Sequence, residues 1–161
     1  MNLIVAVDEN YGIGIGGRLL ASIPEDMKRF REMTLGKSVV MGRATFMSLP
    51  GSKPLKDRLN IVMSRDKNLR IEGAVVCHSV EELSRYDKLF VIGGQEIYAL
   101  LLPYCKTAYI TKIYKQFQAD RFFPNIEEME NWSLTARSGI KRYDNLEYEF
   151  LTFQNKNPRA I

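Results

Sequence analysis

The stretch "KLFVIGGQEIYALLL", Lys88 to Leu102, indicates the fold most directly. A short apolar run ends in a glycine pair and leads into a helix-like segment, as expected for a strand buried on both faces of a sheet. Similar apolar runs occur in "LIVAVDEN", "KSVVMGRATF", "LNIVMSRD" and "GAVVCHSVEEL". Two later segments, "TAYITKIYKQF" and "LEYEFLTFQ", alternate as antiparallel strands with one wetter face do. The sum predicts an α/β fold: a mainly parallel sheet with an antiparallel C-terminal edge.

Length and composition predict one domain, residues 1–161, with a sizeable core, since 45% of the 161 residues are hydrophobic. The two cysteines, Cys77 and Cys105, and the single histidine, His78, form no zinc-ligand pattern, so neither a metal site nor a disulfide framework is expected. No apolar run approaches a membrane span, and the N-terminal run is too short and too soon acidic for a signal peptide. The prediction is a cytoplasmic protein with no membrane partner.

The net charge of +4 and the pI of about 9.1 favour an anionic ligand only weakly. Lysines and arginines are scattered among acidic residues, and no basic run exceeds a pair such as Lys28-Arg29. A nucleic-acid-binding stripe is therefore not supported. A basic cleft that binds a small anion remains compatible with this charge distribution.

Three predicted strands end in residues suited to phosphate. The first ends at Gly93-Gly94 before a helix, where backbone N–H groups and the positive end of the helix dipole face an anion. Another ends at Gly42 with Arg43 and Thr45, and a third ends at Ser64-Arg65. The carboxyl ends of parallel strands lie at one edge of the sheet, so these three strand ends together predict a site for a phosphate-rich cofactor at that edge. For each arginine taken singly, including Arg58, a solvated surface position is the alternative.

The segment "GIGIGG", Gly12 to Gly17, formally matches the dinucleotide fingerprint G-x-G-x-x-G. That fingerprint needs a helix opening at its last glycine, whereas "RLLASIP" leads to Pro24 instead. We therefore predict a mobile glycine loop that can close over a ligand, with an ordinary flexible connection as the alternative.

The segment "SIPEDMKRFREMT", Ser22 to Thr34, predicts a helix with Pro24 in its first turn and Ser22 or Ile23 as the cap. Asp26 falls within the apolar arc of this helix, whose other members are Ile23, Met27, Phe30 and Met33. The charged residues Glu25, Lys28, Arg29, Arg31 and Glu32 fall on the opposite arc. A carboxylate facing a core needs a partner. The alternative is that the helix dipole alone favours an acid in this first turn.

Taken in order, an AVD strand, the glycine loop, "IPEDMKRF", "VVMGRATFMSL", "PLKDRLNIVMSR", "VIGGQEIY" and "ADRFFP" resemble bacterial dihydrofolate reductase. The resemblance runs from Leu3 to about Phe153. It implies an eight-stranded mixed sheet with four flanking helices in a monomeric cytoplasmic enzyme. It also implies reduction of 7,8-dihydrofolate by NADPH, inhibition by antifolates such as trimethoprim, and a cis peptide bond between Gly93 and Gly94.

The resemblance implies the site residues as well. Asp26 would accept the paired N–H donors of the pterin and polarise its ring, with Thr111 supporting the carboxylate, and Arg58 would grip the glutamate carboxylate of the substrate. The other substrate-binding residues would be Ile4, Val5, Ala6, Leu19, Met27, Phe30, Leu49 and Ile92. The cofactor would be bound by Ala6, Ile13, Gly14, Gly42, Arg43, Ala44, Thr45, Ser64, Arg65, Ile92, Gly93, Gly94, Gln95, Glu96, Ile97 and Tyr98. Arg43, Ser64 and Arg65 favour a 2′-phosphate, hence NADPH over NADH.

Three departures from the family pattern stand out. Ala21 occupies the position of the usual tryptophan, which opens space near the substrate. Ala119 and Arg121 replace a glycine and a threonine in the loop that contacts the glycine loop, and Ile15 brings an apolar residue into the latter.

Three other hypotheses remain. A binding protein with weakened catalysis is suggested by Ala21, although an intact Asp26 argues against it. A reductase of another pteridine or of a pyrimidine would keep the NADPH site without requiring Arg58. A nucleic-acid-binding role is ranked last and would require a strongly salt-dependent affinity.

Overall fold

The computed structural model describes residues 1–161 and contains twelve strands. The strands are β1 (Asn2–Val7), β2 (Gly12–Ile15), β3 (Arg18–Leu19), β4 (Ser38–Gly42), β5 (Leu59–Met63), β6 (Val75–Cys77), β7 (Leu89–Gly93), β8 (Thr107–Ile113), β9 (Arg121–Phe122), β10 (Trp132–Arg137), β11 (Lys141–Tyr143) and β12 (Leu146–Asn155). The α-helices are α1 (Pro24–Thr34), α2 (Arg43–Ser48) and α3 (Gln95–Leu101).

The main sheet has the strand order β10-β12-β8-β1-β7-β4-β5-β6, and the short strand β11 adds to β12. All pairs from β8 to β6 are parallel, whereas β12 runs antiparallel to β8 and to β10. The predicted mixed sheet with an antiparallel C-terminal edge is therefore confirmed. The segment "TAYITKI" forms β8, which is antiparallel to β12 as predicted and parallel to β1 on its other side.

Three α-helices flank the sheet, where the family resemblance implied four. There are also four short 3-10 helices: Glu81–Arg85, which is the longest, and Pro50–Ser52, Leu102–Tyr104 and Ile126–Glu128. Helix α1 begins at Pro24, and Ile23 is its cap. The Ser22 hydroxyl donates to the Met27 sulfur instead of capping the helix.

Burial follows the strand pattern. Residues of β1, β4, β5 and β7 are almost entirely buried, because each strand has a neighbour on either side and other parts of the chain cover both faces of the sheet. The largest buried cluster extends from Leu3 to Phe153 and so joins both ends of the chain in one core. A separate cluster of Ile23, Ile113 and Tyr148 lies where α1 packs on the antiparallel edge.

The glycine-rich segment is more regular than a loop. Within it, Gly12–Ile15 forms β2, which pairs antiparallel with β3, directly after the segment, and with β9, so that the three strands make a small second sheet. The sequence predicted a mobile glycine loop here, and the structure shows that pairing with β3 and β9 makes part of it, β2, extended. Its ability to move stays a prediction.

Candidate active site

A cleft of about 1440 Å³ opens at the carboxyl ends of β5, β4 and β7. These three strands are adjacent and parallel, so the strand ends singled out in the sequence do lie side by side at one edge of the sheet. Every residue predicted to bind the cofactor, from Ala6 to Tyr98, lines this cleft. The space exceeds the roughly 300–1,000 Å³ typical of pockets for drug-sized ligands, so it suits a larger ligand.

Glycine backbone forms the floor of the cleft at two strand ends. A Cβ on Gly42 would lie 3.1 Å from the Ile97 side chain, and one on Gly94 would lie 3.2 Å from the Thr45 hydroxyl. Gly93 has φ near +125°, and the peptide bond from it to Gly94 is cis. A side chain at these positions would therefore crowd α2, α3 or the cleft.

Helix α3 is fixed to the central strand by Tyr98. The buried Tyr98 hydroxyl donates to the carbonyl of Ile4 in β1 at 2.8 Å, and its ring meets Phe123 edge-on. Burial raises the pKa of Tyr98 well above its usual range, so the hydroxyl stays protonated and keeps donating. The N-terminus of α3 is thus held at the cleft.

A polar, cationic end of the cleft gathers Arg43, Ser64 and Arg65 with two residues that the sequence analysis missed, Asp66 and His78. Arg43 lies 3.9 Å from Asp66, and both side chains are at least half exposed, so this pair contributes little stability and leaves the guanidinium free. The His78 Nδ1 lies 2.9 Å from the Ser64 carbonyl oxygen, which makes Nδ1 the donor.

The position of His78 and Ser79 in the sequence was enough to identify them as cleft residues. They directly follow β6, which pairs with β5, so they form a fourth strand end at the same edge as the other three. Arg18 and Arg121 also line the cleft, but they come from β3 and β9. Only the tertiary pairing of the small sheet places these two arginines there.

The carboxylate of Asp26 meets the hydroxyl of Thr111, which donates to Oδ1 at 2.5 Å. Thr111 is 1% exposed and lies in β8 between Ala6 of β1 and Phe150 of β12. Burial raises the pKa of Asp26 above its usual range, while the Thr111 hydrogen bond and the positive charge of Arg29 oppose that rise. The partner expected for Asp26 within the protein is therefore present, and it comes from a strand distant in sequence.

The residues predicted to bind substrate fall into two groups. Val5, Ala6, Leu19 and Ile92 line the large cleft. Ile4 is buried, Phe30 and Leu49 are partly buried, and Met27 is 56% exposed, so the apolar arc of α1 is not uniformly covered. Their roles toward a substrate stay predictions.

Arg58 is oriented by the C-terminal end of α1. Its Nε donates to the Lys56 carbonyl at 2.9 Å, and NH1 donates to the Thr34 hydroxyl at 3.2 Å. Thr34 in turn donates to the Phe30 carbonyl at 2.7 Å. These bonds leave part of the guanidinium fork without a protein partner.

Arg29 does not lie on a solvated face, and its assignment to the polar arc was wrong. Its guanidinium carbon lies 4.3 Å from the centroid of the Phe150 ring and 5.8 Å from that of Tyr109. The NH1 atom is buried and has no hydrogen-bond partner. Helical periodicity alone places Arg29 opposite the core, but the sheet under α1 is wide enough to cover that side too.

The glycine-rich segment and the following loop make direct contacts despite the departures noted above. Asp120 N donates to the Gly14 carbonyl at 2.9 Å, and Gly16 N donates to the Asp120 carboxylate at 3.1 Å. Ala119 lies so close to Gly12 that a Cβ there would come within 2.7 Å of the alanine Cβ. The contact is kept with alanine and arginine at positions 119 and 121.

Ala21 is partly buried and packs against the cluster of Ile23, Ile113 and Tyr148. It precedes α1 by three residues, between the small sheet and Asp26.

No helix has the length and apolarity that a membrane crossing requires. No group of three or more His, Cys, Asp or Glu side chains is arranged to hold a metal ion.

Comparison with known proteins gives one answer. Residues 1–155 match the family model described as dihydrofolate reductase. The chain is 37% identical to a dihydrofolate reductase of Bacillus subtilis, over 98% of this chain and 95% of the relative, and 32% identical to one of Staphylococcus haemolyticus, over 88% and 86%. A solved dihydrofolate reductase of Enterococcus faecalis, in complex with NADP(H) and RAB-propyl, superposes with a TM-score of 0.87 at 34% identity, covering 97% of this chain and 96% of that one. The chain therefore belongs to the dihydrofolate reductase family, as its sequence motifs predicted.

Proposed function

We propose that this protein reduces 7,8-dihydrofolate to 5,6,7,8-tetrahydrofolate with NADPH, and that Asp26 binds and polarises the pterin ring. The observation that carries the proposal is the Asp26 carboxylate, fixed by Thr111 at 2.5 Å in a partly buried position. Family membership supports the reaction, and the NADP(H) complex of the Enterococcus faecalis relative supports the cofactor.

The substrate end of the site needs an acceptor for two neighbouring donors. A pterin carries an amino group and a ring N–H side by side, and a carboxylate can accept both at once. Thr111 donates to one oxygen of Asp26, which restrains the orientation of the carboxylate. Since burial strengthens hydrogen bonds to a charge, the arrangement favours the pterin over water.

The other end of the substrate carries carboxylates. Arg58, steadied by Thr34 and the Lys56 carbonyl, keeps donors free for a bidentate grip on one of them. A lysine would lack that planar fork.

The residues that line the cleft suit a dinucleotide that carries an additional phosphate. Glycine backbone at positions 42, 93 and 94 permits close approach, while Arg43, Arg65 and the Ser64 hydroxyl supply charge and donors for a 2′-phosphate. Bound NADPH would supply the hydride. The protein aligns the rings and excludes bulk water from them, and Asp26 polarises the pterin. The ring nitrogen next to the imine carbon that receives the hydride would take its proton from a single water molecule.

The second candidate is a binder of folate and NADPH with weakened catalysis. Ala21 favours it, because a small residue beside Ile23 leaves the site less protected from water than an indole would. Reduction of another pteridine is the third possibility, and it would not depend on Arg58.

The test is absorbance-monitored NADPH oxidation by the purified protein, with and without 7,8-dihydrofolate. Oxidation that requires dihydrofolate, and that is lost in Asp26→Asn while NADPH binding remains, is the expected result. NADPH binding without substrate-dependent oxidation would favour the binder. Turnover that survives Asp26→Asn at neutral pH would refute the role of the carboxylate.

We also infer that the chain acts as a single domain and a monomer in the cytoplasm, without nucleic-acid or membrane partners. One buried core that joins Leu3 to Phe153 supports the single domain. Sedimentation of the active protein as a dimer would overturn the monomer.

A further inference from the structure

Arg29 is the least expected side chain in the neighbourhood of the site. It contributes to none of the ion pairs of the protein, and its buried NH1 has no partner. Burying an unpaired cationic group costs free energy, so a compensating interaction is expected. The ring faces of Phe150 and Tyr109 supply part of it through cation–π contacts.

The remaining interaction is with Asp26. The two residues are three apart on α1, which places their Cβ atoms roughly 5–6 Å from each other. They also face the same strands, because Phe150, under Arg29, is the register partner of Thr111, which donates to Asp26. The charges are too far apart for an ion pair but close enough to interact through the packed interface between helix and sheet.

No other cation takes this role. Lys141 of β11 approaches the same Phe150 ring, but its ammonium group pairs with Glu25 at 3.1 Å and is thereby neutralised. The other ionisable groups that interact with Asp26 are the phenols of Tyr98 in α3 and Tyr148 in β12, whose pKa values are both raised, so they are uncharged at neutral pH. Arg29 is therefore the cation that offsets the carboxylate.

We propose that Arg29 is a positioning residue for the reaction, whose half-buried guanidinium keeps Asp26 in the ionised form that binds the pterin. This rests on the proposed function of Asp26. The coupling is mutual: burial lowers the pKa of Arg29, and Asp26 is the largest influence that opposes this. Once a pterin covers Asp26, the effective dielectric falls and the stabilisation by Arg29 increases.

A structural role is the competing explanation, since the arginine stem could simply cover apolar surface. A titration separates the two. The protein is labelled with ¹³C at the aspartate carboxyl carbons, and the Asp26 resonance is identified by its absence in Asp26→Asn. We expect Arg29→Met, which keeps the stem without the charge, to raise the carboxyl pKa by about 1 or more. Arg29→Lys, which restores the charge, should titrate close to the wild type.

The matched control is Lys28→Met, which removes the same charge from the next position of α1. Lys28 is 77% exposed and reaches only Glu32, so solvent screens it and the Asp26 titration should not change. Should Arg29→Met not fold, as judged by circular dichroism, Arg29→Gln supplies the same comparison with a polar head at the solvent edge.

An Asp26 titration that is unchanged in the neutral Arg29 variant would overturn the proposal. So would an equal rise in Arg29→Lys, because packing rather than charge would then be the cause. The measurement needs no turnover. A wild-type protein that fails to oxidise NADPH would therefore refute the proposed function without altering the result for Arg29.

Discussion

Replacing Thr111 by valine tests the link between fold and chemistry most directly. Thr111 is 1% exposed, and its hydroxyl donates to Asp26 Oδ1 at 2.5 Å. Valine keeps the volume and the β-branch but places a methyl group where the donor was, so the packing of β8 should survive. Only the support of the carboxylate is removed.

The magnitude follows from the charge of the acceptor. A hydrogen bond to a charged group contributes about 1.5–3 kcal/mol and one between neutral groups about 0.5–1.5 kcal/mol. Asp26 is only partly buried, so water replaces some of the lost bond, and the lower ends apply. Thr111→Val should therefore lower the free energy of unfolding by about 1.5 kcal/mol where Asp26 is ionised, and by about 1 kcal/mol less where it is protonated.

The pH dependence has a definite sign. Removing the donor raises the pKa of Asp26 further above its ordinary value, because the hydrogen bond favours the charged form. The deficit relative to the wild type is therefore largest above the pKa that Asp26 has in the folded protein, and it shrinks as the pH falls through it. If the whole of this loss, about 1.5 kcal/mol, is also felt in the transition state, kcat/KM falls about tenfold.

Urea unfolding of both proteins across a pH series measures the deficit, and dihydrofolate-dependent NADPH oxidation measures kcat/KM. Thr111→Ser is the control, because it keeps the donor and should show only a loss that does not vary with pH. A deficit in Thr111→Val that is the same at every pH, together with wild-type kcat/KM, would refute the reasoning.

Four further outcomes are expected. Asp26→Asn should raise the thermal midpoint at neutral pH while abolishing turnover, because the raised pKa of Asp26 means that stability is lost as the pH rises through it; a lower midpoint at neutral pH would contradict this. Arg58→Ala should weaken dihydrofolate binding and leave NADPH binding unchanged in fluorescence titrations. An unchanged affinity for dihydrofolate would mean that Arg58 is a solvated surface residue and does not bind the substrate. The hydrogen bonds from Arg137 and Tyr114 lower the pKa of the buried Glu149 to about 2, so the stabilisation by this group is present above its ordinary pKa of 4.5 and is lost as the pH falls towards 2. In Glu149→Gln the denaturation midpoint should therefore change less with pH between about 2 and 4.5 than in the wild type. Ala21→Trp should tighten the binding of a diaminopyrimidine antifolate several-fold by refilling apolar space, and an unchanged inhibition constant would argue that Ala21 does not enlarge the site.

Local pattern was enough for much of this protein. Apolar runs that end in glycine predicted β4 and β7, and one that ends at Ser64-Arg65 predicted β5. The rule that parallel strands share an edge predicted the cleft that their ends form. Both follow from chemistry within a few residues of each other, since strand propensity and glycine turns need no distant partner. The ordered motifs were also sufficient to predict the family.

What the sequence did not determine depends on contacts between distant segments. No local pattern places Thr111 beside Asp26, 85 positions away, so that contact was expected only from the family resemblance. Arg18 and Arg121 enter the cleft only because β2 pairs with both β3 and β9. Arg29 is the clearest case: helical periodicity placed it on the arc opposite the apolar residues, yet the sheet beneath α1 covers it in part, with its guanidinium over the Phe150 ring. Periodicity specifies which way a side chain points from its own helix, whereas the environment that it meets there is set by the packing of the whole sheet.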